Sequence, residues 1–343
     1  MRRRNVIKAA VFGAAVALVI PGIAYASTGA TVATPGTTSW SSPGVGARLA
    51  TNANCASDLI SSGGVNVTGS GTAGQVNDVH VMETEPASGG SPANGGDTDV
   101  TQWLGVGGTG NDGTGNYTVQ PFGVCFTNTT INHTQVVVSS VSGPTGTSLP
   151  TSMASVTATC PASTRLLGGG ARSTLASNKS VKTIASYPSD SSGNAAADGS
   201  TNPTSWTAVA LNGGMSGTGN TTSAYAICSG SGINVSGVSV TVKHTNVSGP
   251  TSASSSQSAT TSACGTAGNL IAGGASISGS DPTAGSFTAP GSSGDHLNGD
   301  YPSGSSGTPT SNGSSTTSWT AIGHTGGSSS PNTDTDVWGL CMS

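Results

Sequence analysis

Charge and aromatic surface are both scarce in this chain. Only 7% of its 343 residues are charged and 4% aromatic, so neither a polycationic groove nor a broad ring-lined cleft can be built from it. Lys and Arg number ten, and four of them (Arg2, Arg3, Arg4, Lys8) fall within the first eight residues. Beyond that start, six basic side chains face fourteen acidic ones. A field of that sign disfavours nucleic acid, whose binding rests on clustered cations that release phosphate counterions. No apolar pattern of 3.6-residue period runs to useful length, and with 53 glycines and 17 prolines helices have few places to start. The G-x-S-x-G elbow of serine hydrolases is missing. No cysteines or histidines stand at zinc-site spacing, so neither a metal nor a cofactor is expected.

The first residues carry the marks of export. A basic start, an apolar run of twelve residues from Ala9 to Ile20, a Pro21-Gly22 break and Ala24-Tyr25-Ala26 read as a cleaved signal peptide over residues 1–26. The run is well short of the roughly 20 residues that span a bilayer, so no membrane span is expected in the mature chain. Arg3-Arg4-Asn5-Val6-Ile7-Lys8 also approximates a twin-arginine signal. A need for disulfides formed outside the cell favours the general secretory route instead. No hydrophobic or sorting-type tail follows Cys341, and a secreted, extracellular location is expected.

What the chain does have is a threefold pattern. Cys55/Cys125, Cys160/Cys228 and Cys264/Cys341 use every cysteine, and Trp103, Trp206 and Trp319 each stand 22 positions before the second member of a pair. Each first cysteine is followed by an aliphatic pair and glycines: Leu59-Ile60 before Gly63-Gly64, Leu166-Leu167 before Gly168 to Gly170, Leu270-Ile271 before Gly273-Gly274. Each second cysteine closes an aromatic-small-aliphatic-Cys strand. The pattern predicts three repeats, 27–128, 129–232 and 233–343, with disulfides Cys55–Cys125, Cys160–Cys228 and Cys264–Cys341 inside them. Closing a loop of that size contributes up to roughly 4 kcal/mol in the chain-entropy account.

Ser205-Trp206-Thr207-Ala208-Val209-Ala210 alternates with period two and reads as a strand whose ring packs on glycines that leave room for it. Trp103, Trp206, Trp319, Gly169 and Gly273 are therefore assigned to the core. The fold class is all-β: three tandem repeats of about 100 residues, each a small β-sandwich-like unit with a private disulfide. Short polar links favour modules in line with small interfaces. A single pseudo-threefold β-prism or barrel is the alternative.

Cys160-Pro161-Ala162, Leu166 to Ala171, Tyr187-Pro188-Ser189, Trp206-Thr207-Ala208 and Ala224-Tyr225-Ala226-Ile227-Cys228 resemble the repeat of a group of actinobacterial secreted proteins: C-P-x-G, GGG, W-x-A-x-A, A-Y-A-x-C. The middle unit matches best, and the first departs most, with Ala56, Glu85 and Gly105 at motif positions. The resemblance covers nearly the whole mature chain. It implies an extracytoplasmic location and carries over no activity and no catalytic residue.

Chemistry is harder to find. His80, His133, His244, His296 and His324 are read as standing at different places in their units, with no recurring histidine. Asp97-Thr98-Asp99 and Asp334-Thr335-Asp336 are D-x-D pairs that could chelate a hard cation, but neither forms a complete loop, and solvated acid is expected. Tyr187 and Tyr301, each before Pro-Ser in a Ser/Gly-rich stretch, are the candidate ligand-binding rings, against the alternative that they close the core. The expectation is a non-catalytic extracellular or cell-envelope-associated structural or interaction protein. A carbohydrate- or cell-wall-binding module acting by multivalency is the second reading, and a secreted hydrolase the third. Partners to test are extracellular polysaccharide, cell wall and the protein itself.

Overall fold

The computed structural model describes residues 28–72, 77–110, 113–174, 180–213 and 218–343. The signal peptide expected at 1–26 lies outside the described residues. Short runs of β-branched and small residues, interrupted by Gly, Asn and Ser, give strands throughout, with two 3-10 turns and no α-helix among the described residues. The first unit holds β1 (Thr28–Ala33), β2 (Thr38–Ser41), β3 (Arg48–Asn54), β4 (Leu59–Ser70), β5 (Val79–Ser88), β6 (Ser91–Pro92), β7 (Gln102–Thr109) and β8 (Asn116–Asn128). The second holds β9 (Thr134–Ser142), β10 (Met153–Thr159), β11 (Leu166–Thr174), β12 (Val181–Ser189), β13 (Ser205–Asn212) and β14 (Thr221–Ser229). The third holds β15 (Val240–Ser248), β16 (Ser256–Thr260), β17 (Asn269–Ser278), β18 (His296–Ser303), β19 (Ser318–His324) and β20 (Asp334–Met342).

These strands form three antiparallel sheets, ordered β1-β8-β4-β18-β19-β16, β3-β7-β5-β11-β14-β9 and β10-β13-β12-β17-β20-β15. Each unit therefore gives three principal strands to one sheet and three to the next. Within a unit the two half-sheets face one another as a small sandwich, and the middle of every sheet crosses from one unit to its neighbour. The crossings pair Ala171 with Thr84 and Arg172 with Glu83, Ala185 with Ser276 and Ser186 with Ala275, Gly299 with Asn66 and Asp300 with Val65. The sandwich expected of each unit is present, but separate modules in line are not. The closed pseudo-threefold body is the arrangement found. The reason is that the inner strands have a full-length partner of their own unit on one side only, and the open edge is satisfied by the neighbouring unit.

Each sandwich is held by one ring on one glycine. A β-carbon on Gly63, Gly169 or Gly273 would sit within 2.4 Å of a ring atom of Trp103, Trp206 or Trp319 respectively, so glycine alone lets the layers approach. All three rings are fully buried. Their indole N–H groups donate to Thr84 Oγ1 (3.0 Å), Ser186 Oγ (2.9 Å) and Asp300 Oδ1 (2.6 Å), acceptors that stand two residues before Pro86, Pro188 and Pro302. The disulfides Cys55–Cys125, Cys160–Cys228 and Cys264–Cys341 join the turns before β4, β11 and β17 to the last strand of each unit, as the sequence pattern predicts.

One-residue register shifts recur at Ile60/Ser62, Leu166/Gly168 and Leu270/Ala272, and again at Val81/Glu83, Thr183/Ala185 and Leu297/Gly299. Such bulges bend a strand and re-aim its side chains. Around the pseudo-threefold axis β4, β11 and β17 touch one another, as do β5, β12 and β18. Ser61 Oγ donates to the Ile271 carbonyl and Thr183 Oγ1 to the Met82 carbonyl, each at 2.6 Å, tying different units together at the axis.

Two outcomes test this architecture. Gly169→Ala, whose new carbon would lie 2.2 Å from the Tyr225 carbonyl oxygen, is expected to cost about 3 kcal/mol or more. Gly304→Ala, facing open space, should leave the melt nearly unchanged. A fragment of residues 233–343, deprived of β4 and β12, is expected to show no cooperative melt even with Cys264–Cys341 formed. Independent folding of that fragment would mean the shared sheets are dispensable.

Candidate functional site

The bulges in β5, β12 and β18 leave the first turns of these strands pointing into a cavity on the pseudo-threefold axis. The cavity holds about 290 Å³. Its lining comes in sets of three: Asp78, Ser180 and Gly294 stand eight residues before Pro86, Pro188 and Pro302, and His80, Lys182 and His296 stand six before them. Gly110, Gly213 and Gly326, each seven residues after a core tryptophan, complete the wall. Position for position the site is threefold. In chemistry it is not, because one histidine is replaced by lysine.

These side chains are buried, with His80 4% exposed, Lys182 5% and His296 2%. Nδ1 of His80 donates to the Asp78 carbonyl (3.0 Å) and Nδ1 of His296 to the Gly294 carbonyl (2.8 Å). A carbonyl only accepts, so Nδ1 carries the proton in both rings, and Nε2 of the neutral ring offers a lone pair. Nε2 of His296 has no hydrogen-bond partner among the described residues. Nε2 of His80 has none of normal geometry either, although the Val181 carbonyl approaches that ring. His324 stacks on His296 with ring centroids 4.8 Å apart. Lys182 Nζ donates to the Gly294 carbonyl at 3.0 Å. Beside it Asp295 accepts from the Ser292 N–H and from the Ser330 hydroxyl through Oδ2, while Oδ1 has no partner.

Burial sets the protonation states. It pushes His80 down to about 3, with the Lys182 charge adding to the effect. It pushes His296 well below the usual imidazole value, helped by His324, Lys182 and His80. Both rings are therefore neutral at physiological pH. Burial also lowers Lys182 to about 8, resisted by the charges of Asp295 and Asp78. The pocket thus offers one ammonium donor beside two imidazole acceptors, an arrangement suited to hydrogen-bonding a compact polar ligand.

Tyr187 and Tyr301 lie elsewhere. They are 1% and 4% exposed and sit in the joints between units, where each meets the ring that stands three residues before the neighbour's second cysteine. Tyr187 stacks on Trp338 with centroids 5.2 Å apart, Tyr301 lies 5.8 Å from Phe122, and their hydroxyls donate to the carbonyls of Gly193 and Gly307. They close the core, the alternative reading of the sequence, and Tyr187 also lines a cavity with Phe287. A Ser/Gly-rich surrounding suggested exposure, but the adjoining unit covers them. In the third joint the tyrosine is replaced by Glu85. Glu83 and Glu85 are buried there beside Arg48 and Arg172. Burial raises both carboxyls, Glu85 further through the charge of Glu83, while the arginines oppose the rise.

The histidines do recur, contrary to the sequence expectation. His80 and His296 occupy one repeat position, and counting back six residues from the conserved-spacing prolines within the chain finds both, with Lys182 between them. No protein-family model matches the chain, and none of the curated proteins compared with it is similar.

The axial lysine makes a signed prediction. A lysine whose native pKa lies below its unfolded value costs stability while charged. That cost is fully present below about pH 8 and fades as pH rises toward the unfolded value near 10.5. Lys182→Met is therefore expected to raise stability at pH 7 by about 1–3 kcal/mol, with the gain shrinking as pH rises from about 8 toward 10.5. Denaturant melts across that range would reveal a pH-independent effect if burial of the charge is not the cause.

Proposed function

We propose that this is a secreted, non-catalytic binding protein that takes one compact, hydroxyl-rich ligand, a sugar or polyol, in its axial pocket. The observation that carries the reading is the pair of buried acceptors without partners on the pocket wall, His296 Nε2 and His80 Nε2. A buried polar group left unpaired costs about 1–3 kcal/mol. A ligand that supplies donors recovers that cost. Hydroxyl groups both donate and accept, so one polyol can satisfy these acceptors and also receive a hydrogen bond from Lys182. The space equals about ten water volumes, enough for a single ring.

Recognition then rests on hydrogen bonds rather than on aromatic stacking, since Tyr187 and Tyr301 are occupied in the joints. It also rests on one site per chain rather than on three repeated ones, so avidity from repetition has no part in it. Three disulfides and the leader pattern support an extracellular place of action, in keeping with what the motif resemblance implies. Extracellular polysaccharide or cell wall enters as the source of such a ligand.

Titration with a panel of monosaccharides and polyols, followed by calorimetry, tests the proposal. The expected result is 1:1 binding of at least one member, weakened tenfold or more in His296→Ala and in Lys182→Met. Binding with a stoichiometry of three, or binding indifferent to both variants, would place recognition elsewhere.

A further inference from the structure

The outer face of the third sheet carries a second cluster, independent of the axial pocket. His244 on β15, Asp336 on β20 and Asp281, just before the 3-10 turn Pro282–Ala284, bring one ligand atom each to within 4.8 Å of one another. Nε2 of His244 stands 3.2 Å from Asp336 Oδ1 and 3.9 Å from Asp281 Oδ1. Donors bound at about 2.0 Å around a tetrahedral metal stand about 3.3 Å apart. The first distance already fits. The second is longer, and Asp281, about one-third exposed, also accepts through Oδ1 from the Thr283 N–H (2.8 Å) and hydroxyl (2.7 Å), so binding requires its carboxylate to move toward His244.

Asp336 is the unusual member. Its side chain is fully buried, and among the described residues it has no lysine or arginine partner, only His244. Instead neutral groups fix it from behind: Ser276 and Ser278 donate to Oδ2 at 3.1 Å each, and Asn246 Nδ2 donates to Oδ1 at 2.8 Å. The imidazole is fixed too, its centroid 4.7 Å from that of Trp338. Such outer contacts orient metal ligands. The repeat itself shows that the fold does not require an acid at this place. In the second unit the corresponding pair across β9 and β14 is Ser140 and Ser223, which share a hydrogen bond of 2.8 Å, and Val138 stands where His244 does. Burying a carboxylate is costly without a compensating positive charge. The third unit has introduced the carboxylate, the imidazole and their supports together.

We propose that His244, Asp281 and Asp336 bind a divalent transition-metal ion of the zinc class, with a fourth position open to water or to a donor from outside the chain. One imidazole with two carboxylates suits such an ion better than calcium, which takes six to eight oxygens. Without metal the same atoms close on each other, His244 Nε2 donating to Asp336 Oδ1. On binding, that proton leaves Nε2 and the ring turns its lone pair to the metal.

Cobalt(II) titration of the purified, disulfide-intact protein reads the site directly, because tetrahedral cobalt has a strong visible spectrum. Expected are one cobalt per chain displaced by zinc, affinity at least tenfold weaker in Asp281→Asn, and loss of the band in His244→Gln. His296→Ala, though it disables the axial pocket, should leave the cobalt band and its affinity as they are, which separates this site from the axial histidines. Asp281→Asn alters a surface side chain and decides the matter if His244→Gln does not fold. No cobalt band, a band indifferent to Asp281→Asn, or a band lost in His296→Ala would overturn the proposal.

Discussion

The structure depends on pairing six strand edges. β4, β5, β11, β12, β17 and β18 each have a long hydrogen-bonded neighbour of their own unit on one side and, apart from the two-residue β6 at the end of β5, no strand of that unit on the other. A thin-cored sandwich left with two such edges would expose backbone donors and acceptors that favour association. Turning about a common axis lets each edge meet one from the next unit. The bulges at Ile60/Ser62 and Val81/Glu83, and their counterparts, provide the bend that brings the edges together. The axial pocket is a by-product of that geometry, the space left where three bulged strands converge.

The joints show how one backbone arrangement accepts different chemistry. Two are closed by rings, Tyr187 with Trp338 and Tyr301 with Phe122. The other is closed by Glu83 and Glu85 with Arg48 and Arg172. The indole acceptor varies in the same way. Thr84 and Ser186 are neutral, whereas Asp300 is a carboxyl that burial pushes up to about 8, with the Trp319 N–H pulling the other way. At neutral pH Asp300 is therefore mostly protonated and behaves as its hydroxyl counterparts do. Geometry is kept across the units while charge is free to change.

That freedom decides what the sequence reveals. Cysteine, the core tryptophans and Gly63, Gly169 and Gly273 have no substitutes for their tasks, so they recur as letters and their contacts are readable from spacing alone. Strand pairing across units is carried by two residues at each crossing, such as Gly299 and Asp300 with Asn66 and Val65, and backbone hydrogen bonds do not depend on those side chains. Nothing in the local pattern says which edge β4 will meet. The pocket escaped for a related reason: His80, Lys182 and His296 share a place but not a residue type. The D-x-D pair Asp334 and Asp336 was visible, yet its relation to His244 arises only from the pairing of β15 with β20.

One sheet joins the first unit to the third, so the three units form a circuit rather than a row. Thr28 and Asn269 meet where the circuit closes, the Asn269 amide donating to the Thr28 carbonyl at 2.8 Å. A chain made from one end cannot complete that sheet until its last unit has emerged. Until then β4 keeps an open edge whose proper partner, β18, lies more than two hundred residues away along the chain. Such distant pairing is slow. During the delay the open β4 edge is equally able to accept β18 from another copy, so at high concentration the same contacts can link several chains into one exchanged ring.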